Sequence, residues 1–472
     1  MRLSIDTVVR RGLPVPSILL AVAVVGCSSG ERRTGDSSAT AATSDTTLPA
    51  KCAGDNGGLT LPAGICATVF ADSIGQARHI VVASNGDVYV TLEGTQPPPK
   101  NQAAAPAPPA PKPKASFVAL RDSTRDGRAD VITRIGTVGN TGIALANGYL
   151  YVDEGKDIVR YKRGDDELTP SGKREVVVQD LPMLPGHRAR SIAIGNDGAL
   201  YVNVGSATNS CQVKDRTNDS PGNDPCTELN TRAGIWKFDA NKTGQRFSPA
   251  ARFASGIRNG MGVAIHPGDG ALFATQHGRD QLHDNWPSVF PTTQYSAENP
   301  GEEMLQVSQG DNFGWPYCYY AMDEKKLVTA PEYGGDGKKT DRCTDKKEPA
   351  AVFPGHWAPM SLLFYTGNAL PARYKDGVFI AFHGSWNRLP EPQQGYRVVF
   401  QPMSNGKTSG AYETFADGFA GLPANEIQPD RAKHRPVGLA QGPDGALYIT
   451  DDAGGRIYRL TKAGGADAKQ AP

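Results

Sequence analysis

Short apolar runs alternate with turns along this chain, and no long amphipathic stretch separates them. One element recurs: an apolar strand, a turn built on Asn-Gly or Asp-Gly, then a strand carrying an aromatic. It reads IVVASNGDVYVT from Ile80, IALANGYLYVDEG from Ile143, SIAIGNDGALYVNVG from Ser191 and GVAIHPGDGALFATQHG from Gly262. Two further copies are YKDGVFIAFHG from Tyr374, whose first strand looks degraded, and VGLAQGPDGALYITDD from Val437. Glycine permits positive φ in the turn, and alternation on either side gives each strand one buried face. The aromatics fall at Tyr89, Tyr151, Tyr201, Phe273, Phe379 and Tyr448, with successive spacings of 62, 50, 72, 106 and 69 residues. Such spacings suit four-stranded units with inserted loops better than helical repeats. Six copies predict an all-β fold, a six-bladed β-propeller with four-stranded blades; an open sandwich with coincidental hairpins is the competing reading.

Two stretches break the rhythm. Residues 95–114 are rich in Pro and Ala and predict an extended, solvated loop. The long gap between Phe273 and Phe379 predicts a wall or lid beside a site. With Gly 54 and Pro 36 among 472 residues, turns dominate over helices. Lys+Arg 50 against Asp+Glu 49 gives no large field to draw nucleic acid, so partners must be argued from local sites.

The N-terminus changes the compartment. Arg2, Arg10 and Arg11 precede an apolar run from Ile18 to Val25 that is too short for a permanent transmembrane helix. Val24-Val25-Gly26-Cys27 resembles a bacterial lipobox, so residues 1–27 read as a lipoprotein signal ending at a lipidated Cys27; an ordinary secretory signal is the alternative. Either exports the chain, and the first makes it periplasmic and lipid-anchored, with the outer membrane as the expected anchor. Residues 28–50 have too few large apolar side chains to fold and read as a tether, 51–462 as the propeller, and 463–472 as a disordered tail. The six other cysteines fall as neighbours, Cys52 with Cys66, Cys211 with Cys226 and Cys318 with Cys343, and predict three local disulfides. A zinc site is the rival, without the CxxC or HxxxH spacing that would favour it.

Candidate chemistry gathers at the entrances of the repeats. GHRARS brings His187 to the third, SGIRNG brings Arg258 and Asn259 to the fourth, and AKHRPVG brings Lys433, His434 and Arg435 to the sixth. An imidazole there suits proton abstraction, and an Arg-Asn pair suits a carboxylate. A loop histidine and a rim salt bridge are the bland readings. If the blades close into a ring, these side chains converge on one anionic ligand at the axis. QHGRDQLHDN from Gln276 and GEEMLQVSQGDNFGWPYC from Gly301 add Asp280, Asp284, Glu302 and Glu303, oxygen donors of the kind calcium takes. DSTRDGRAD from Asp122 also looks calcium-like, but Thr124 and a missing distal Glu favour a solvated turn.

GIRNG, the GRD…DN…GEE…GDNFGWPYC series, FHGSWNR and HRPVGLAQGPDGALYITDD together resemble the soluble glucose/sorbosone dehydrogenases that depend on pyrroloquinoline quinone (PQQ), from about Cys66 to Leu460. That resemblance implies a propeller with PQQ in a cleft at its top, clamped by basic residues and Ca2+. Carried over, His187 matches the general base, Arg258 and Asn259 the pair contacting cofactor and substrate, and Arg435 a carboxylate-binding arginine. The carbonyls of Gly278 and Arg279 fall where the family's calcium ligands lie. Lys433 stands where the glucose dehydrogenases have a second arginine, keeping the charge but not the fork. Ser206 and Asn209 stand where an aspartate would orient the histidine. HGSWNR replaces their cofactor-contacting lysine region, leaving His383, Trp386, Asn387 and Arg388 as candidates and pointing to the sorbosone-type branch. The implied activity is oxidation of a CH–OH group, or hydrated aldehyde, of a sugar or sugar-derived aldose by hydride transfer to PQQ. No CxxCH haem motif is present, so an external quinone or cytochrome must accept the electrons. A propeller that has lost the quinone and only binds, or a calcium-dependent lactonase, are the alternatives.

Overall fold

The computed structural model describes residues 52, 54–93, 115–183 and 185–464. The expected signal, the expected lipidation at Cys27, the expected tether, the whole 95–114 loop and all but the first two residues of the tail lie outside the described residues. No helix among the described residues is long and apolar enough to cross a membrane.

Six antiparallel sheets follow one another along the chain. Blade 1 comprises Ala77–Val82, Val88–Leu92, Phe117–Arg121 and Val131–Ile135, and blade 2 Ile143–Ala146, Tyr149–Asp153, Ile158–Lys162 and Arg174–Gln179. Blade 3 comprises Ile192–Ile194, Ala199–Val204, Gly234–Asp239 and Arg252–Ser255. Blade 4 comprises Val263–Ile265, Leu272–Gln276, Glu302–Val307 and Ala351–Phe353, and blade 5 Pro359–Phe364, Val378–Phe382, Arg397–Gln401 and Glu413–Ala416. Blade 6 takes Pro436–Gln441, Leu447–Asp451 and Ile457–Lys462 from the end of the chain and Ile65–Ala71 from its beginning, with Ile65 opposite Lys462. Pairing the first strand with the last closes the ring and leaves only short blade edges.

Every recurrent hairpin is therefore the first two strands of a blade. The fifth repeat corrects the sequence reading: its first strand is intact but lies upstream, at Pro359–Phe364, with Phe364 opposite Val378. A loop filled by the buried Tyr365 and Tyr374 replaces the two-residue turn, which is why adjacency hid the strand. The marker aromatics sit on second strands and reach into the next blade: Tyr89 Oη donates to the Leu168 carbonyl at 2.9 Å and Tyr151 Oη to the Ala240 carbonyl at 3.0 Å.

The core is divided like the ring. One apolar cluster fills each interface, from blades 1 and 2 around Phe117 and Val152, through blades 4 and 5 around Met304 and Phe382, to blades 6 and 1 around Tyr448 and Val90. No blade buries its apolar faces alone, so the blades stand or fall together. The three disulfides form as expected, with Cα separations of 5.4, 6.2 and 5.9 Å for Cys52–Cys66, Cys211–Cys226 and Cys318–Cys343. Each closes a local loop worth roughly 3 kcal/mol in the chain-entropy picture.

Candidate active site

Loops entering the first strands and loops leaving the second strands meet on one face of the ring. His187, in the loop entering blade 3, is held to the loop leaving that blade's second strand: its Nδ1 lies 3.1 Å from the Ser206 carbonyl and 3.0 Å from Ser206 Oγ. Ser206 in turn donates its N–H to the Arg258 carbonyl at 2.8 Å, in the loop entering blade 4. Asn259 Nδ2 faces His277 Nδ1 at 3.3 Å, and His277 Nε2 reaches the Pro359 carbonyl of blade 5 at 3.0 Å. From blade 1, His79 Nε2 reaches the neighbouring Met360 carbonyl at 2.9 Å. His383, leaving blade 5, places Nε2 2.8 Å from Asp452 Oδ1 of blade 6, whose other oxygen accepts from Arg78 of blade 1 at 2.8 Å. Arg435, entering blade 6, donates to the carbonyls of His383 at 3.1 Å and Gly384 at 2.8 Å. An unbroken chain of contacts thus puts His187, Arg258 and Arg435 on one face around the axis. Met261, Met360 and Val437, with Ala189 against them, form an apolar cluster from the same blade entrances.

The electrostatics follow from burying so many bases. Burial and then the Arg258 charge push His187 well below its ordinary value and His277 down to about 3; burial, with a smaller push from Arg78, takes His79 down to about 4. These imidazoles are neutral at pH 7. Because a carbonyl oxygen only accepts, the Ser206 contact assigns the proton of neutral His187 to Nδ1 and leaves the Nε2 lone pair for an incoming proton. Burial, then the Arg435 charge, also lowers His383, with Asp452 opposing them.

Several expected residues lie where their roles must be read differently. Arg258 was expected to hold a ligand carboxylate with its fork, but it is buried and its donors meet protein acceptors. They are the Asn209 carbonyl at 3.0 Å, Asn209 Oδ1 at 2.9 Å, the Gly278 carbonyl at 2.9 Å and Asp280 Oδ2 at 3.0 Å. Arg388 is a buried loop clamp on the carbonyls of Ala297, Gly355 and Pro392, facing backbone rather than an axial ligand. The Lys433 stem lies against Gly421, which lines a cleft of about 730 Å³ with Trp357 and Tyr396, while Arg435 donates to the Gly384 carbonyl. The Arg279 side chain pairs with Glu332. Asn259 has a buried Oδ1 without a partner among the described residues, and Trp386 stands half exposed.

What the sequence reading missed is the connecting chemistry. Asp280 accepts from Arg258, from Arg216 at 2.8 Å and from Asn387 at 2.8 Å. Burial alone would raise its carboxyl, but Arg258 and Arg216 outweigh burial and hold it well below the usual carboxylate range. Arg78 and His79 escaped because the first repeat was read only from Ile80, although the pair precedes it as the other basic clusters precede theirs. The final Asp-Asp of the last repeat was the signal for Asp452.

A closed propeller thus gathers imidazoles, guanidiniums and a buried amide on one face. The chain belongs to the TrAA12-like family, whose model matches residues 118–463. It is 31% identical over 209 residues to an uncharacterized protein of Borreliella burgdorferi, covering 44% of this chain and 48% of that one. It is 26% identical over 276 residues to a pyrroloquinoline quinone-dependent pyranose dehydrogenase of Coprinopsis cinerea, covering 50% of this chain and 35% of that one. The chain thus spans half or less of these two curated relatives. The calcium structure of a Trichoderma reesei AA12 enzyme shares the fold with a TM-score of 0.67 at 20% identity, over 88% of this chain and 98% of that one. The holo PQQ domain of the Coprinopsis cinerea enzyme does so with a TM-score of 0.66 at 18% identity, over 86% and 97%.

Proposed function

We propose that this protein is a quinoprotein dehydrogenase that oxidises a CH–OH group, or hydrated aldehyde, of a sugar or sugar-derived aldose. The observation that carries the reading is the ring of buried bases on one face, in which burial first and neighbouring positive charges second hold imidazoles unprotonated. A polyanionic guest would give the guanidiniums of this face a counter-charge, so the donor set fits PQQ. Arg435 supports this further, because after its two backbone carbonyls Nη1 has no protein acceptor among the described residues. Asn259 Oδ1, buried without a partner among the described residues, offers an acceptor on the same face.

Bound there, PQQ supplies a two-electron acceptor for hydride. The chain supplies the rest. His187 Nε2 takes the substrate hydroxyl proton, worth about 10²–10⁴ in rate. Arg435 and Asn259 orient the guest, and Arg258 acts from behind by fixing Gly278 and Asp280. Calcium fits less simply. Gly278 and Arg279 offer two carbonyls, the first already accepting from Arg258, and no group of three or more His, Cys, Asp or Glu among the described residues could hold a metal. Since calcium takes six to eight oxygens, it is expected to enter with the quinone rather than before it. Electrons leave to an external quinone or cytochrome, and export with lipidation at Cys27 places the reaction at a periplasmic membrane surface.

His383 is a second candidate base, favoured by its carboxylate partner at 2.8 Å. Dye reduction by protein loaded with PQQ and Ca2+, over a panel of sugars and aldoses, tests the function. His187→Ala should keep the quinone and lose most turnover; full activity in that variant, with loss in His383→Ala, moves the base to His383. Lactone opening without quinone would establish the hydrolase instead, and neither activity would leave a binding module.

A further inference from the structure

The cleft of about 730 Å³ that Gly421 lines lies where the loop leaving the second strand of blade 5 meets the loop joining blade 5 to blade 6. Leu422, Pro423 and Ile427 give it aliphatic walls beside the Trp357 and Tyr396 rings. Its charges are already paired. Arg397 Nη2 lies 3.3 Å from Asp417 Oδ2, with the guanidinium 5.0 Å from the Trp357 ring centroid, and Trp357 Nε1 donates to Gln394 Oε1 at 3.2 Å. One donor in the lining is left over. Ser385 Oγ accepts the Gln394 N–H at 2.9 Å and gives its own proton to Gln393 Oε1 at 2.6 Å, so Gln393 Nε2 is a buried donor without a partner among the described residues. Aromatic and aliphatic walls, paired charges and one spare amide N–H suit a flat, neutral guest that carries a carbonyl oxygen.

Two further observations tie this cleft to electron transfer. The first is its thin wall. Gly395 lines the cleft, and a Cβ added to it would meet Gly384 Cα at 2.8 Å; the Gly384 carbonyl in turn accepts from Arg435 at 2.8 Å. Both glycines hold left-handed backbone, with φ 96° at Gly384 and 90° at Gly395, so no side chain thickens the partition. Tyr396, also in the lining, has the Arg435 guanidinium 5.4 Å from its ring centroid. Two glycine backbones and one phenol ring thus stand between the cleft and the arginine that offers a charge to the cofactor. Electron transfer falls off exponentially with the protein between donor and acceptor, which favours a wall of this thickness.

The second is where the chain enters. Gly58 lines the same cleft, six residues after Cys52, where the described chain begins. With lipidation at Cys27, as proposed above, residues 28–51 span at most about 80 Å even when fully extended. The cleft therefore lies at the point of the propeller that the anchor holds nearest the membrane.

We propose that this cleft takes the benzoquinone ring of a membrane quinone and is the port through which the reduced cofactor is reoxidised. The proposal rests on the quinoprotein dehydrogenase reading above and names its electron acceptor. The exchange balances: the reduced cofactor gives up two electrons and two protons and regains its two carbonyls, and the guest takes both and becomes a hydroquinone. Gln393 Nε2 donates to one carbonyl of the guest.

Ala424 is an exposed lining residue, so Ala424→Trp fills the cleft from its rim without disturbing a buried position. In enzyme loaded with PQQ and Ca2+, with a decyl-tailed dimethoxybenzoquinone as acceptor, this variant should raise KM for the acceptor at least tenfold. KM for the sugar and turnover with hexacyanoferrate(III) should move less than twofold. Equilibrium dialysis of the apoprotein against the same quinone should show the tenfold weakening without turnover. Ser404→Trp, at an exposed position of the separate cleft around His266, is the control for adding an indole to the surface. Equal losses with both acceptors, an equal loss in Ser404→Trp, or unchanged quinone affinity in Ala424→Trp would each overturn the proposal. If the wild type oxidises sugars with hexacyanoferrate(III) but reduces no quinone, the port fails alone. If it oxidises no sugar with either acceptor yet binds the quinone, and Ala424→Trp weakens that binding, the dehydrogenase reading fails and the quinone site stands.

Discussion

The two halves of the axial site use the same residue types to opposite ends. On the blade 3 and 4 side, Arg258, Asn209, Asp280 and Arg216 satisfy one another, and the guanidinium of Arg258 has four protein acceptors. On the blade 5, 6 and 1 side, His383, Asp452, Arg78 and Arg435 also interlock, but among the described residues Arg435 Nη1 has no protein acceptor and His383 has only one ring nitrogen in a hydrogen bond. The first half is a clamp that fixes loops; the second is a receptor with valences left for a guest. An arginine in a binding motif is therefore a poor guide to what it binds until its acceptors are known.

The sharpest way to break this contrast is to remove the hub of the clamp. Asp280→Ala leaves Arg258 buried without its counter-charge and should cost about 3–5 kcal/mol of folding stability. Denaturant unfolding of the apoprotein measures it. A loss under about 1 kcal/mol would show that Arg258 finds other partners and that the clamp is not structural.

Next in size is a pH effect behind the same half. Glu302 and Glu303 on blade 4 are both pushed up to about 8, mainly by burial. Glu303 Oε2 accepts from Gln276 Nε2 at 2.9 Å, an arrangement a protonated carboxyl retains. Its folded value lies above the unfolded one, so its contribution is fully present below pH 4.5 and disappears as pH rises toward 8, at up to about 1.4 kcal/mol per pH unit. Glu303→Gln mimics the protonated form and should flatten the alkaline fall in Tm while leaving Tm near pH 5 unchanged. The buried imidazoles act in the opposite sense: His79 and His277, lowered to about 4 and 3, withdraw stability as pH falls below 6.5. An unchanged alkaline limb in Glu303→Gln would mean that this carboxyl ionises in place.

The contrast also marks what a sequence can disclose. The ring was legible because hairpin turns and alternation are local, and Asn-Gly or Asp-Gly beside a buried aromatic repeats wherever a blade begins. The fifth blade blurred only because Tyr365 to Gly377 separates its strand pair. The basic entrances were legible as clusters, and closure of the ring brought His187, Arg258 and Arg435 together. Which donors stay available was not legible, since the acceptors of Arg258 lie 49 positions back at Asn209 and 22 ahead at Asp280. Arg388 misled for the same reason, its carbonyl partners at Ala297 and Gly355 being fixed by loop packing that no short motif records.

The receptor half makes the smallest and most specific prediction. Arg435→Met keeps the length of the stem over the Tyr396 ring, which the guanidinium now faces at 5.4 Å, but removes every donor. Two backbone carbonyls lose charged partners at a half-buried position, so stability should fall by no more than about 1 kcal/mol. Quinone affinity of the apoprotein, read by titration of the quinone absorbance, should fall at least tenfold, about 1.4 kcal/mol, because one charge-assisted contact to the guest is lost. The ratio of the two effects is the discriminating quantity. If Arg435→Met destabilises the fold as Asp280→Ala does while quinone affinity holds, Arg435 belongs to the clamp. The axial face would then be structural on both sides, and a guest would have to be held from elsewhere.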